Sequence, residues 1–112
     1  MDVIHYLTED GTDLYQQWMD ALRDKYAKVA ILRRVDRAAA GNFGDHKLCR
    51  EGVSEMRIDQ GPGYRVYYFQ HGKKLVVLLC GGDKRTQVTD VKRAIACKTD
   101  FLRRMKESRH DD

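Results

Sequence analysis

Apolar and polar residues alternate with a period of two through the middle of the chain, and recur every three to four residues on either side of it. From Val53 to Asp59, Met56 and Ile58 fall on one side and Glu55, Arg57 and Asp59 on the other, the pattern of a half-buried strand. Tyr64 to Gln70 alternates again, with Tyr64, Val66 and Tyr68 opposed to Arg65, Tyr67 and Phe69. Leu75 to Cys80 is apolar throughout, as a central strand covered on both faces requires. Asp59-Gln60-Gly61-Pro62-Gly63 links the first two strands as a turn, because glycine supplies positive φ and proline fixes its own. His71-Gly72 fits a tight two-residue hairpin. Gly81-Gly82-Asp83-Lys84-Arg85-Thr86 then leaves the sheet for a helix.

The flanks complete the architecture. Val3 to Thr8 reads as a first strand with Asp10-Gly11 as its exit turn. Asp13 caps a helix, with Gln16 in the capping-box position, and Leu14, Trp18, Leu22 and Tyr26 form one inward stripe. A second helix runs from about Lys28 to Ala40, with Ile31, Leu32, Val35 and Ala39 inward and Gly41 as its stop. Asn42 to Asp45 is a loop, His46 to Arg50 a short strand, and Glu51-Gly52 a bulge or tight bend. Thr86 caps a long last helix with Asp90 in its first turn; Val88, Val91, Ile95, Leu102 and Met105 face inward and Lys98 interrupts them. The order β-α-α-β-β-β-β-α predicts an α+β fold: a mostly antiparallel sheet of four to five strands, two N-terminal helices and one C-terminal helix. Residues 1–107 read as one domain and residues 108–112 as a disordered tail.

Composition narrows the setting. At 112 residues the chain supports one core, and its 21 Lys and Arg against 17 Asp and Glu give a net charge of +4, which favours an anionic partner. Cys49, Cys80 and Cys97 are an odd set without CxxC spacing, which suits a reducing cytoplasm rather than a disulfide scaffold or zinc site. The N-terminus lacks a basic, signal-like start, and no stretch approaches the ~20 apolar residues of a membrane span.

Several chemistries lack their signatures. Gly81-Gly82-Asp83-Lys84 is not a P-loop, no GxSxG or HExxH is present, and His5, His46, His71 and His110 are scattered. No metal or cofactor is implied. Register supplies the positive signal. If Ile58 lies opposite Tyr64, Arg57 lies beside Arg65 and Glu55 beside Tyr67; if Gln70 pairs with Lys73, Arg65 faces Leu78 and Tyr67 faces Val76. Two arginines side by side cost a sheet a few tenths of a kcal/mol, up to ~1. They are either solvated surface, partly neutralised by Glu55, or a device for holding an anion. Arg57, Arg65, Tyr67, Lys84 and Arg85 form the candidate catalytic set, and Arg33, Arg34, Arg37, Lys47 and Tyr64 the candidate RNA-binding set. Such cations suit a phosphodiester: guanidinium groups hold phosphate oxygens, stabilise the charge of a pentacoordinate transition state, and lower the pKa of a nearby lysine or tyrosine. In RNA the 2′-OH is an internal nucleophile, so neither a protein nucleophile nor a metal is needed.

Gly52 to Tyr68 (GVSEMRIDQGPGYRVYY) and Leu78 to Gln87 (LLCGGDKRTQ), supported by Ile31 to Val35 and Gly41 to Asp45, resemble the RelE/ParE superfamily of bacterial toxins, specifically its HigB-like group. The likeness covers about residues 3 to 105. It implies a RelE-like fold and a cytoplasmic type II toxin, silenced by a neighbouring antitoxin, a helix-turn-helix protein of HigA type. Operator DNA would be bound only through that complex. It also implies metal-independent cleavage of messenger RNA in the ribosomal A site. The family's Gly-Tyr-Arg motif matches Gly63-Tyr64-Arg65, which places the phosphate-binding arginine at Arg65; Arg57 matches a basic position on the preceding strand, and Lys84 or Arg85 the cation after the fourth. RelE carries a stacking and acid/base tyrosine in its last helix. This chain has none after Tyr68, leaving Tyr67 as the substitute, and it has Glu55 where RelE has another lysine. The same superfamily contains ParE-like DNA gyrase inhibitors without nuclease activity, the alternative function; an inactive interaction domain is a third.

Overall fold

The computed structural model describes residues 1–110, and side chains through Ser108. Its elements are β1 (Asp2–His5), α1 (Leu14–Ala21), α2 (Lys25–Ala39), β2 (His46–Arg50), β3 (Val53–Ile58), β4 (Tyr64–His71), β5 (Leu75–Asp83) and α3 (Gln87–His110), with a 3-10 turn at Lys84–Thr86. The strands form one five-stranded sheet in the order β1-β5-β4-β3-β2. All neighbours are antiparallel except β1 and β5, which run parallel, so the expected α+β architecture stands.

The sheet separates two cores. On one face α3 sets Val91, Ala94 and Cys97 against Val53, Tyr67, Phe69, Val77 and Leu79. On the other, Tyr15, Met19, Ile31 and Ala38 from α1 and α2 cover Met56, Ile58, Val66, Tyr68, Val76 and Leu78. Alternate residues of β3, β4 and β5 therefore serve opposite layers, and the apolar run of β5 reflects its coverage on both sides.

Most of the expected inward residues of the helices do pack on the cores, and the departures are Tyr26, Leu32 and Val88. Asp13 does cap α1, accepting from the Gln16 N–H, but the helix stops at Ala21. Asp24 then caps α2, its carboxylate accepting from the backbone N–H groups of Tyr26 and Ala27 at 3.0 and 3.1 Å. This second cap rotates the following residues. Ala27, Ile31 and Ala38 turn inward, whereas Tyr26 is 81% exposed and Leu32 stands on the surface with it. A similar reset opens α3: the 3-10 turn aims Asp90, Val91, Ala94 and Cys97 at the sheet and leaves Val88 73% exposed. Asp83, rather than Thr86, is the cap of that turn, with Thr86 completing its capping box. At the other end α3 continues through Ser108 to His110, where a disordered tail was expected. No glycine or proline interrupts it, and Arg103 pairs with Glu107 one turn on. The remainder of that expected tail, Asp111 and Asp112, lies outside the described residues.

The β3–β4 hairpin has the expected register, with Ile58 opposite Tyr64, Arg57 opposite Arg65 and Glu55 opposite Tyr67. The β4–β5 hairpin does not. His71 pairs with Leu75 around a loop opened by Gly72 at φ 66, and a bulge lets Tyr67 face Cys80 while Tyr68 faces Leu78. Arg65 consequently lies opposite Gly82 instead of Leu78.

Gly81 and Gly82 also stay inside β5 instead of leaving the sheet, for a steric reason. A Cβ on Gly81 would come within 2.1 Å of the Trp18 ring, and one on Gly82 within 1.8 Å of the Asp90 carboxylate. α1 and α3 thus close onto bare backbone from opposite sides. Among the described residues no helix is long and apolar enough to cross a membrane.

Gly81→Ala is expected to destabilise the fold by about 1–3 kcal/mol through overpacking against Trp18. The check is the urea midpoint, with Gly72→Ala as a comparison that meets no atom within 4 Å of the new Cβ and carries only the left-handed backbone cost of its φ of 66, about 1–2 kcal/mol.

Candidate functional site

The turn after β5 is held by its own cap and by the β3–β4 loop. Asp83 accepts from the Arg85 N–H at 2.8 Å, and the Lys84 N–H donates to the Gly63 carbonyl at 3.0 Å. Gly63, at φ 82, makes the bend that brings these segments together. Lys84 is thereby set beside the paired Arg57 and Arg65. Asp45, Arg57, Ile58, Asp59, Gly63, Tyr64, Arg65 and Lys84 line one cavity of about 270 Å³. The Tyr64 ring meets Trp18 edge-on at 6.2 Å, which fixes it from behind.

Carboxylates govern both arginines. Arg57 donates from Nη2 and Nε to Asp45 Oδ1 at 2.8 and 3.2 Å, on an exposed rim. Arg65 is 12% exposed, and its Nε lies 2.9 Å from Oε2 of Glu55, whose side chain is 1% exposed. That contact is an ion pair without the alignment of a hydrogen bond. The Gln87 amide donates to both Glu55 oxygens at 3.4 Å. Asp45 and Asp59 were not among the expected site residues. No local spacing joins the loop before β2 to the end of β3; the pairing of those two strands does.

The remaining expected residues divide clearly. Arg85 is 82% exposed and paired with Asp83 at 3.0 Å, outside the cavity. The Arg85 guanidinium holds the Asp83 carboxyl below its ordinary range. Tyr67 is fully buried. Burial, then the charges of Glu55 and Asp90, push its hydroxyl well above its ordinary pKa, the reverse of the lowering expected for a proton-transfer group. Its hydroxyl has no hydrogen-bond partner among the described residues. Tyr67 is therefore not brought into the cavity: its strand face is the one α3 covers.

Arg34 is committed to the fold. Its guanidinium donates to the carbonyls of Phe43 and Asp45 at 2.9 and 2.8 Å and to that of Arg57, tying α2 to the loop and to β3. Arg33 and Arg37 instead line a second depression with Ala30, Arg34, Gln60 and the shared Ile58 and Asp59. Lys47 is exposed on the edge strand β2, opposite Glu55 in register. Among the described residues no group of three or more His, Cys, Asp and Glu side chains could hold a metal ion.

A five-stranded α+β sheet with two N-terminal helices and one C-terminal helix defines the class, a small fold of RelE type, with three basic and two acidic side chains around the cavity at the end of its central hairpin. Residues 17–100 match the family described as phage-derived protein Gp49-like (DUF891), and the chain belongs to that family, which is RelE-like and toxin-like. An uncharacterized protein of Haemophilus influenzae strain Rd is similar, 48% identical over 80 residues that span 71% of this chain and 81% of that protein.

Arg34→Ala is expected to cost about 1.5–3 kcal/mol, because three carbonyls lose a charged donor. Arg33→Ala and Arg37→Ala should stay within about 0.5 kcal/mol of the parent. Chemical denaturation of the three variants checks the division.

Proposed function

We propose that this chain is the toxin of a type II toxin–antitoxin module, of the HigB-like group, and that it cuts messenger RNA in the ribosomal A site by attack of the adjacent 2′-OH. The observation that carries the reading is the convergence of Arg57, Arg65 and Lys84, with Tyr64, on one cavity. Arg65 holds the scissile phosphate, and Lys84, rather than Arg85, supplies the cation after the last strand. Arg57 adds charge as the phosphate displaces Asp45 from it. Tyr64, at the cavity wall, offers a ring on which an unstacked base rests. Arg33 and Arg37 take a neighbouring phosphate of the same strand, and Lys47 meets the backbone beyond.

The charge of the pentacoordinate intermediate develops only during reaction, so prepositioned cations act mainly on the chemical step. In-line attack by the 2′-OH then asks the protein for positioning, charge and proton transfer. Lys84, the lysine that lines the cavity, is assigned the proton given to the departing 5′ oxygen, and the proton of the attacking 2′-OH passes to solvent water. The product strand ends in a 2′,3′-cyclic phosphate.

The toxin-like family implies an antitoxin partner, and we assign it the outer face of α2. Tyr26, Val29 and Leu32 are exposed there among Lys25, Arg33 and Arg37, a surface complementary to an acidic segment with apolar side chains. The module acts in the cytoplasm, where its ribosomal target lies.

On programmed ribosomes Arg65→Ala should lower the cleavage rate about 10²-fold or more, by analogy with the loss of one transition-state donor. Lys84→Ala should fall further than Arg85→Ala, and cleavage should survive EDTA at a level that spares the ribosome. Sequencing with end-specific ligation should find cyclic or 2′/3′-phosphate ends; free 3′-OH ends would overturn the mechanism. Intact transcripts together with DNA-damage signalling after induction would select the gyrase-inhibitor alternative.

Charge reversal of the α2 face, as in Arg33→Glu with Arg37→Glu, should weaken capture by the product of the adjacent gene at least tenfold in a pull-down titration. Unchanged capture would remove α2 from the interface.

A further inference from the structure

Glu55 is the one acidic side chain among the largest fully buried residues, and it stands on β3 where the sheet otherwise carries core. A carboxylate taken out of water needs a partner, and a pair of apolar residues of similar volume serves stability as well or better. The pair therefore calls for a reason other than stability. Its geometry offers one. Glu55 meets Arg65 at Nε, the inner edge of the guanidinium, so the two terminal nitrogens are the donors left for the cavity that Arg65 lines. Among the described residues Arg65 makes no side-chain hydrogen bond, its hold on the protein being the ion pair with Glu55, and Glu55 is itself braced by Gln87 from the first turn of α3. An arginine side chain has large rotamer freedom, and a fixed carboxylate behind Nε removes it while leaving the phosphate-binding fork intact.

We propose that Glu55 is a positioning residue, a buried anchor that aims Arg65 at an oxyanion of phosphodiester type; the inference rests on the reading of Arg65 as the phosphate-binding arginine. Electrostatics alone predicts the opposite effect on binding. A carboxylate beside Arg65 lowers the local positive potential, so removing it should strengthen anion binding unless its role is to hold the guanidinium in place. Glutamine keeps the acceptor facing Nε and drops the charge, whereas alanine drops both.

The test titrates inorganic phosphate into the purified chain, following the backbone amide resonances of Gly63, Tyr64 and Lys84 by NMR, and the Arg65 Nε–H where it is present, alongside steady-state cleavage on ribosomes. Glu55→Gln should bind phosphate within about threefold of the parent, and Glu55→Ala should bind about tenfold more weakly despite its higher net charge, with the loss in cleavage falling on kcat rather than KM. Where Glu55→Ala does not fold, Glu55→Met, of similar volume and without an acceptor, takes its place with the same expected loss. Equal or tighter phosphate binding by folded Glu55→Ala or Glu55→Met would overturn the anchor and leave Arg65 its role. Phosphate binding by the parent that is unchanged in Arg65→Ala would overturn the reading of Arg65, and the anchor with it.

Discussion

The close approach of two helices to the glycine pair of β5 is the constraint on which the site depends. β5 is hydrogen-bonded to β1 on one side and β4 on the other, and it runs between both cores. At Gly81 the Trp18 ring lies on the strand, and at Gly82 the Asp90 carboxylate does. With any side chain there, α1 and α3 would have to back away and the strand would end earlier. Because it does not end, β4 and β5 stay paired as far as Tyr64 and Asp83, and the turn that follows starts beside Gly63. Lys84 reaches the arginines only through this extension. The Asp90 carboxylate, buried against Gly82, also accepts from the Thr86 hydroxyl, so one acid serves the strand, the turn and the start of α3.

What the sequence made legible follows from how local each signal is. The β3–β4 register could be read because a turn with Gly61, Pro62 and Gly63 joins two alternating strands, and alternation has no tolerance for a slip of one residue. β4–β5 could not, because Leu75 to Leu79 is apolar on both faces and offers no alternation to fix a register. The bulge within that run leaves no mark in composition. The helical stripes held for most residues and failed where one helix gives way to the next: Leu14, Trp18 and Leu22 pack on the cores, but Tyr26 keeps the same spacing across a break that only the Asp24 cap reveals and stands exposed. A stripe measures phase within one helix, and a cap between two helices resets it.

At the site, residue type was legible and role was not. The five basic side chains from the second helix and the four around the hairpin look alike in sequence, yet Arg34 spends its donors on carbonyls and Arg85 on Asp83, while Arg65 and Lys84 line the cavity. The distinguishing features are all nonlocal. Tyr67 shows the same limit: alternation put it on the side of Arg65, but that side of the sheet is roofed by α3 in the middle and open only at the end where Arg65 lies. Position along the strand, not face, separates a core tyrosine from an accessible one.

On the proposed function, the acids limit which anions the site takes. Glu55 behind Arg65 and Asp45 across Arg57 nearly offset the positive charge, so the cavity is not a general sink for anions. The two pairs differ in what they permit. Glu55 is buried and braced, and it cannot leave; Asp45 is on an exposed rim, where an ion pair contributes only ~0–1 kcal/mol. A phosphate with two accessible oxygens can displace Asp45 from Arg57 at little cost while Arg65 is already held. The second depression shares Ile58 and Asp59 with the first, so a backbone seated at Arg65 runs on toward Arg33 and Arg37 along one continuous surface. A lone anion gains only the first contact, whereas a polyanion of nucleic-acid spacing gains both. The proposed function therefore requires a strand to bind more tightly than a free phosphate, because the cations are spaced along the sheet end instead of gathered at one point.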